Sequence, residues 1–225
     1  MNMHFTVKNL IDLKEKVNTK IHELNILNYS PNIIAISKTF KLDQVKPLIE
    51  YGHLHFGENK VQEAVDKWSD EKLKNPDLNL HMVGRLQSNK VKLALKIFDY
   101  IHSVDSIKLA QKIAEEQNKI NRKIKIFLQV NFDNESQKSG IDKDSVNDLL
   151  NACFKFKLEV VGLMCLPPID KPAGPFFSTL KDINDELQLT SLSMGMSNDY
   201  LEAVKFRSDF LRIGSKIFGP RSIKY

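Results

Sequence analysis

The sequence predicts an α/β protein that forms a single (β/α)8 TIM-type barrel with one extra N-terminal helix. Eight short apolar runs alternate with helical patterns along the chain, which is typical of a parallel sheet with crossover helices. The length of 225 residues suits one such barrel, and no Pro/Gly-rich linker divides the chain. We therefore expect one domain over residues 1–225.

The extra helix is predicted over residues 7–27. Apolar side chains recur there at spacings of three and four, the period of one buried helical face. These positions are Leu10, Leu13, Val17, Ile21 and Leu24.

The eight strand-like runs share a buried apolar character and end at polar or small residues. They cover residues 33–36, 54–57, 80–84, 100–104, 124–131, 160–166, 190–195 and 210–214. The run at 190–195 is the least apolar. A helix or helical turn follows each run, as at 107–120, and the segment 167–175 reads as a loop. An open doubly wound sheet is the alternative, although it usually has fewer strands, whereas eight strands close a barrel.

Charge and composition limit the classes of function that this chain can have. The net charge of +5, with a pI near 9.0, suits an anionic ligand, and its even spread makes nucleic-acid binding unlikely. No run is long enough to cross a membrane, the opening residues do not resemble a signal peptide, and two cysteines make a poor disulfide framework. We expect a cytoplasmic, reduced protein.

Lys38 is the most distinctive candidate site residue, because it follows the first apolar run directly. Active sites of barrels lie at the carboxyl ends of the strands. In a dry barrel mouth a lysine amine is more easily neutral, and a neutral amine attacks an aldehyde to form a Schiff base. A lysine that extends to solvent from a strand end explains the position equally well.

The last two runs end in residues that suit a phosphate. Ser197 follows the seventh run, and Gly214 with Ser215 follows the eighth; hydroxyl and backbone N–H groups at such positions bind phosphates in barrels. Ser197 could equally cap the helix that starts near residue 199. Arg212 lies within an apolar strand, so it needs a partner, either a carboxylate of the fold or an acceptor atom of a ligand.

Other polar residues near the strand-like runs are weaker candidates for a functional site. Glu58 and Asn59 follow the second run, where they could begin a helix as well as line a site. His53, His55 and His81 lie on or beside apolar runs, where histidines are more often hydrogen-bonded structural residues than ligands.

Several segments, taken together and in this order, resemble the pyridoxal phosphate homeostasis protein family over nearly the whole chain. The match is specific because each segment falls at a predicted strand end. The segments are 35–39 (AISKT), 55–59 (HFGEN), 84–90 (GRLQSNK), 162–164 (GLM), 192–197 (LSMGMS) with Asp199, and 212–214 (RIG) before 217–219 (IFG).

The resemblance implies a barrel similar to the N-terminal domain of alanine racemase, with pyridoxal 5′-phosphate (PLP) in its mouth. It implies a Schiff base at Lys38, phosphate contacts from Ser197, Gly214 and Ser215, and Arg212 facing the pyridine nitrogen. Asn59 would line the pocket near the ring. The implied role is vitamin B6 homeostasis without catalytic turnover, with apo-PLP enzymes as recipients of the cofactor. We expect a monomer or weak dimer.

The chain departs from the family pattern at Phe40, where many members carry a second lysine, and at Arg207 and Asp209, where many read Gly-Ser-Thr. An Asp209 near a phosphate would repel it. Two other functions stay open: a fold-type III PLP enzyme such as an amino-acid racemase, which needs a second acid/base group, and a binding module for RNA or a protein, which predicts steep salt dependence.

Overall fold

The computed structural model describes residues 3–132 and 139–220 and shows a closed barrel of eight parallel strands. The order around the ring is β1, β2, β3, β4, β5, β7, β8, β9 and back to β1, so the predicted barrel is confirmed. The strands are β1 (Asn32–Ile36), β2 (His55–Glu58), β3 (Asn79–Met82), β4 (Tyr100–Val104), β5 (Lys125–Asn131), β6 (Ile141–Asp142), β7 (Glu159–Cys165), β8 (Ser191–Ser193) and β9 (Phe210–Ile213).

Helices surround the barrel, as the alternating pattern predicts. They are α1 (Phe5–Glu23), α2 (Leu42–Glu50), α3 (Val61–Lys74), α4 (Val91–Ile97), α5 (Ile107–Ile120), α6 (Val146–Lys155), α7 (Gly174–Glu186), α8 (Tyr200–Lys205) and α9 (Ser215–Phe218). The extra helix α1 packs against α2, α8 and α9 through its buried apolar face. It begins two residues before the predicted start, because the His4 ring accepts the backbone N–H of Thr6.

The sequence pattern missed or misplaced two local features. The two-residue strand β6 pairs with the end of β5 outside the ring and was not predicted, because two residues carry no readable period. The predicted loop over 167–175 ends earlier, since α7 begins at Gly174 with Pro175 in its first turn, where a missing N–H costs nothing.

Two apolar layers fill the structure. The larger layer lies between the strands and the helices, and a smaller cluster lies inside the barrel. Gly57 shows how tight the interior is, because a Cβ atom there would come within 2.5 Å of Ile36 Cδ1. The inner cluster consists of Ile34, Ile36, Phe127, Met164 and Phe210, with Val83, Tyr100 and Val161 packed against it.

Cys153 and Cys165 are both buried and free. Within residues 3–132 and 139–220, no helix combines the length and the apolar character that crossing a bilayer requires.

Candidate functional site

The predicted site residues come together at the carboxyl ends of four strands that are neighbours in the ring. The strands β2, β1, β9 and β8 lie side by side in that order. Each contributes polar groups at or beyond its carboxyl end, so the groups share one edge of the barrel mouth. These are Asn59 after β2, Lys38 after β1, Arg212 in β9 with Gly214 and Ser215 after it, and Ser197 after β8.

Lys38 lies two residues beyond the end of β1 and is half-buried. Ile34 and Ile36 belong to the cluster inside the barrel, and side chains alternate between the two faces of a strand. Lys38 itself lies in the turn that follows the strand, at the carboxyl edge of the barrel. The next residue, Thr39, has a left-handed backbone with φ of 70°, an uncommon conformation for a residue with a β-branched side chain.

A buried carboxylate holds the residue before Lys38. Glu58 Oε1 accepts hydrogen bonds from Ser37 Oγ at 2.7 Å, Lys67 Nζ at 2.9 Å and Trp68 Nε1 at 3.0 Å. Lys67 also donates to the Ser37 carbonyl at 2.9 Å. The sequence left open whether Glu58 begins a helix or lines the site, and the structure shows neither. Glu58 is an ion-paired residue on the outer side of β2 that supports the segment before Lys38.

The residue after Lys38 is held from the same helix. The Thr39 N–H donates to Glu63 Oε1 at 2.7 Å. Helix α3 thus fixes the backbone on both sides of Lys38, which favours a defined direction for that side chain.

Arg212 is buried, with 4% of its surface exposed, and its guanidinium contacts two neutral acceptors. Nη1 donates to Ser193 Oγ and Nη2 to the Cys165 carbonyl, both at 2.7 Å. Burial lowers the pKa of Arg212, but a guanidinium stays protonated in proteins. Of the two kinds of partner that the sequence left open for Arg212, a carboxylate of the fold is not found within residues 3–132 and 139–220, where no Asp or Glu forms an ion pair with it.

The loop after β8 is tied to β9, because the Arg212 N–H donates to the Gly195 carbonyl at 2.9 Å. Gly195 has φ of +91°, and a Cβ atom there would come within 2.6 Å of Ala203 Cβ, so only glycine suits this turn. Gly214 approaches Ile36 of β1. The ends of β8, β9 and β1 therefore form one continuous rim.

Ser197 is half-buried on this rim and does not cap α8. That helix begins at Tyr200 with Asp199 at the cap position, so the helix-cap explanation of Ser197 is wrong. No side chain or backbone group in residues 3–132 and 139–220 hydrogen-bonds its hydroxyl. The hydroxyl is thus available as a donor at the mouth.

Two of the departures from the family pattern, Arg207 and Asp209, lie at the amino end of the barrel and away from this rim. Asp209 precedes β9, about 16 Å along the strand from Gly214, and its carboxylate accepts the Leu192 N–H at 2.7 Å. Repulsion of a phosphate at the mouth is therefore not expected. Arg207 lies at the same amino end and donates to the Leu27 carbonyl, while Phe40 stacks on Phe218 with ring centroids 4.8 Å apart.

The histidines on and beside the strands are hydrogen-bonded, as predicted. His53 Nε2 lies 2.9 Å from the His55 carbonyl, His55 contacts His81, and His81 contacts His102. His102 and Ser193, the residue that contacts Arg212, were not predicted from the sequence. A usable signal was present, because β2, β3 and β4 each carry one histidine on the inner face.

The chain resembles known proteins over nearly its full length. The model of the family described as alanine racemase, N-terminal domain, matches residues 18–222. The pyridoxal phosphate homeostasis protein of Pasteurella multocida is 31% identical over 225 residues, covering 95% of this chain and 97% of that protein. The chain belongs to the pyridoxal phosphate homeostasis protein family.

A second relative and a solved structure are also similar to this chain. The homeostasis protein of Aquifex aeolicus is 35% identical over 199 residues, which cover 84% of this chain and 86% of that protein. PipY of Synechococcus elongatus, solved with PLP bound, superposes with a TM-score of 0.79 at 33% identity and covers 90% of this chain and 100% of its own. All six residues that the family resemblance implies for the cofactor lie within the matched region.

Proposed function

We propose that this chain binds PLP in the barrel mouth and holds it as a Schiff base to Lys38 in the service of vitamin B6 homeostasis. The observation that carries the proposal is the placement of a lysine amine, a buried guanidinium and uncommitted phosphate donors on adjoining strands β1, β9 and β8. The relatives named as PLP homeostasis proteins and the PLP-bound PipY structure support it.

The chemistry of the donor set fits PLP. The cofactor supplies an aldehyde that a lysine amine captures and an aromatic ring that withdraws electrons. In the proposed arrangement Lys38 takes the aldehyde end. Ser197 and the backbone N–H groups at Gly214 and Ser215 take the phosphate, since the first N–H groups of a helix have no partner within it.

The remaining two residues, Arg212 and Asn59, would contact the pyridine ring. Arg212 directs donors at the pyridine nitrogen, and Asn59 lines the pocket beside it. Gly84 packs directly over the Asn59 backbone, where a Cβ atom would come within 2.4 Å of the Asn59 carbonyl oxygen, so the position of Asn59 is fixed by contact. Together these residues would hold a flat anionic ring compound by its three functional edges.

We propose further that the chain has no catalytic turnover. A guanidinium beside the pyridine nitrogen disfavours protonation of that nitrogen, which weakens the ring as an electron sink. A racemase also needs an acid/base group on the opposite face of the substrate. The inner-face tyrosine Tyr100 stacks on His81 near the amino end of the barrel, away from Lys38. The proposed role is therefore a cytoplasmic PLP carrier of one domain, residues 1–225, monomer or weak dimer, that supplies apo-PLP enzymes.

Borohydride reduction followed by peptide mass mapping tests the attachment point. We expect a yellow holoprotein and a reduced pyridoxyl adduct on Lys38. The variant Lys38→Ala should lose the adduct, whereas Lys41→Ala, at an exposed position three residues later, should retain it. An adduct that forms mainly on another lysine would contradict the assignment.

Two assays separate a carrier from an enzyme. The holoprotein should not exchange the α-hydrogen of common amino acids into deuterated water at rates typical of enzymes. It should reactivate an apo-PLP enzyme, because Schiff-base formation is reversible. Rapid exchange without transfer of PLP would favour the racemase alternative.

A further inference from the structure

A continuous chain of hydrogen bonds crosses the barrel interior and ends at Arg212. His55 Nδ1 lies 3.0 Å from His81 Nε2, and His81 Nδ1 lies 2.9 Å from His102 Nε2. His102 Nδ1 lies 2.8 Å from Ser193 Oγ, which accepts from Arg212 Nη1 at 2.7 Å. We call these five residues the histidine chain.

The two inner histidines of the chain are neutral. Both are fully buried, and their rings stack on Tyr100 and Phe127 with centroids 4.4 Å apart in each case. Burial lowers the pKa of His81 and His102 well below the usual range, and the nearby Arg212 charge lowers that of His102 further. A neutral imidazole has one N–H donor and one acceptor nitrogen. Each ring therefore accepts a hydrogen bond from one neighbour and donates one to the other, so all bonds along the chain run in the same direction.

Arg212 decides that direction. A guanidinium only donates, and a buried cation favours neighbours that turn their acceptor atoms toward it. Ser193 then donates its own hydrogen to His102 Nδ1, His102 Nε2–H donates to His81, and His81 Nε2–H donates to His55. This direction requires the proton of all three histidines to lie on Nε2. The opposite direction would require three Nδ1–H rings and would turn their positive ends toward Arg212.

The arrangement also explains how the fold tolerates a buried guanidinium that has no carboxylate partner among the described residues. Taking a charge out of water is costly unless strong hydrogen bonds replace the lost hydration. Ser193 and the Cys165 carbonyl hold two corners of the guanidinium, and the polarised histidines behind Ser193 strengthen the first contact. Two fixed corners also define the plane of the group. The other N–H groups of Arg212 have no partner within the part of the chain that the structure describes.

We propose that Ser193 and His102 are positioning residues for Arg212, and that the histidine chain holds the guanidinium in a fixed direction toward the ring nitrogen of PLP. This rests on the proposed PLP site. The three histidines and Ser193 would set the environment of the ring nitrogen from the side of Arg212 opposite to the bound ligand, although none of these four residues touches PLP.

The direction of the chain can be measured without any ligand. Long-range ¹H–¹⁵N NMR spectra of the full chain distinguish Nε2–H from Nδ1–H histidines. We expect His55, His81 and His102 all to be protonated on Nε2 near pH 7.5. Nδ1 protonation of His81 or His102 would overturn the proposed direction, whether or not the protein binds PLP.

The positioning role is tested with Ser193→Ala and His102→Phe. Each should weaken PLP affinity by about tenfold, because a guanidinium that is no longer held toward the ring nitrogen forms a weaker hydrogen bond with it. Each should also move the ¹⁵N resonance of bound PLP labelled at the pyridine nitrogen. The conservative His102→Asn, which keeps an acceptor toward Ser193, should recover most of both effects.

Ser191→Ala is the matched control, since it removes a hydroxyl from the same strand two residues away. It should leave the affinity and the pyridine resonance unchanged. If Ser193→Ala folds and shows the wild-type affinity and resonance, the positioning role is wrong even should His102→Phe fail to fold. Failure of the PLP site itself is recognised separately, as a wild-type chain that yields no lysine adduct.

Discussion

Lowering the pH from 7 to 5 should destabilise this protein strongly, because its barrel buries neutral histidines. Burial lowers the pKa of His53 to about 3, and it lowers those of His81 and His102 well below the usual range. All three rings are less than a tenth exposed. In the unfolded chain the same groups take up protons near pH 6.5.

The sign follows from proton binding. The unfolded state binds more protons than the native state between pH 7 and 5, so the free energy of unfolding falls as the pH falls through 6.5. Each such histidine lowers the free energy of unfolding by about 1.9 kcal/mol over this interval, and the three together lower it by roughly 6 kcal/mol. Native domains are stable by about 5–15 kcal/mol, so the loss is a large fraction of the total.

Two other groups modify the loss. His55 is only partly buried, and burial lowers its pKa, so it adds a smaller loss in the same direction. Burial raises the pKa of Asp209, so the native state takes up a proton there sooner and offsets part of the loss.

Urea unfolding followed by the fluorescence of the single tryptophan, Trp68, provides the measurement. The variant His53→Gln should shrink the loss between pH 7 and 5 to about 4 kcal/mol, since one titrating group is gone. His22→Gln, at an exposed position in α1, should leave the loss unchanged. A loss under about 2 kcal/mol in the wild type, or one that His53→Gln does not reduce, would refute the reasoning.

Two further substitutions follow from the mouth and its support. Ser197→Ala should weaken PLP binding by about 1.5–3 kcal/mol, because the phosphate loses one hydrogen bond. Equilibrium dialysis should show this as a roughly ten- to hundredfold lower affinity, with an unchanged melting temperature. Unchanged affinity would remove Ser197 from the proposed phosphate site. Lys67→Met leaves the buried Glu58 carboxylate without its cation and should cost about 3–5 kcal/mol of unfolding free energy in urea. Lys46→Met, which breaks a pair with Asp43 that is exposed on both sides, should cost at most about 1 kcal/mol, and equal costs for the two lysines would contradict the supporting role of Glu58.

The regular elements could be predicted because each one repeats a local pattern. The strand at 100–104 and the helix at 107–120 were predicted with the bounds that β4 and α5 have in the structure. A strand buried on both faces reads as a continuous apolar run, and a helix with one buried face reads at spacings of three and four. Polar residues that end such runs must lie at the carboxyl edge of a parallel barrel, so Lys38 could be singled out.

Elements shaped by distant residues could not be predicted in the same way. Ser197 precedes a helix in sequence and looked like a cap, but the turn closed by Asp199 shifts the helix start to Tyr200. Glu58 looked like a residue of the mouth, yet strand alternation turns it outward to Lys67 on α3.

Eight strands with helices between them can be read from the amino-acid order alone, because burial on one face or two leaves a period in the residues themselves. Which residues meet across the barrel becomes visible only in the closed fold. Ser193 and His102 lie 91 residues apart in the chain, and no local period relates them. They meet because closure of the ring fixes the register of every strand, and that register brings the inward side chains of β4, β8 and β9 into one plane of contacts around Arg212.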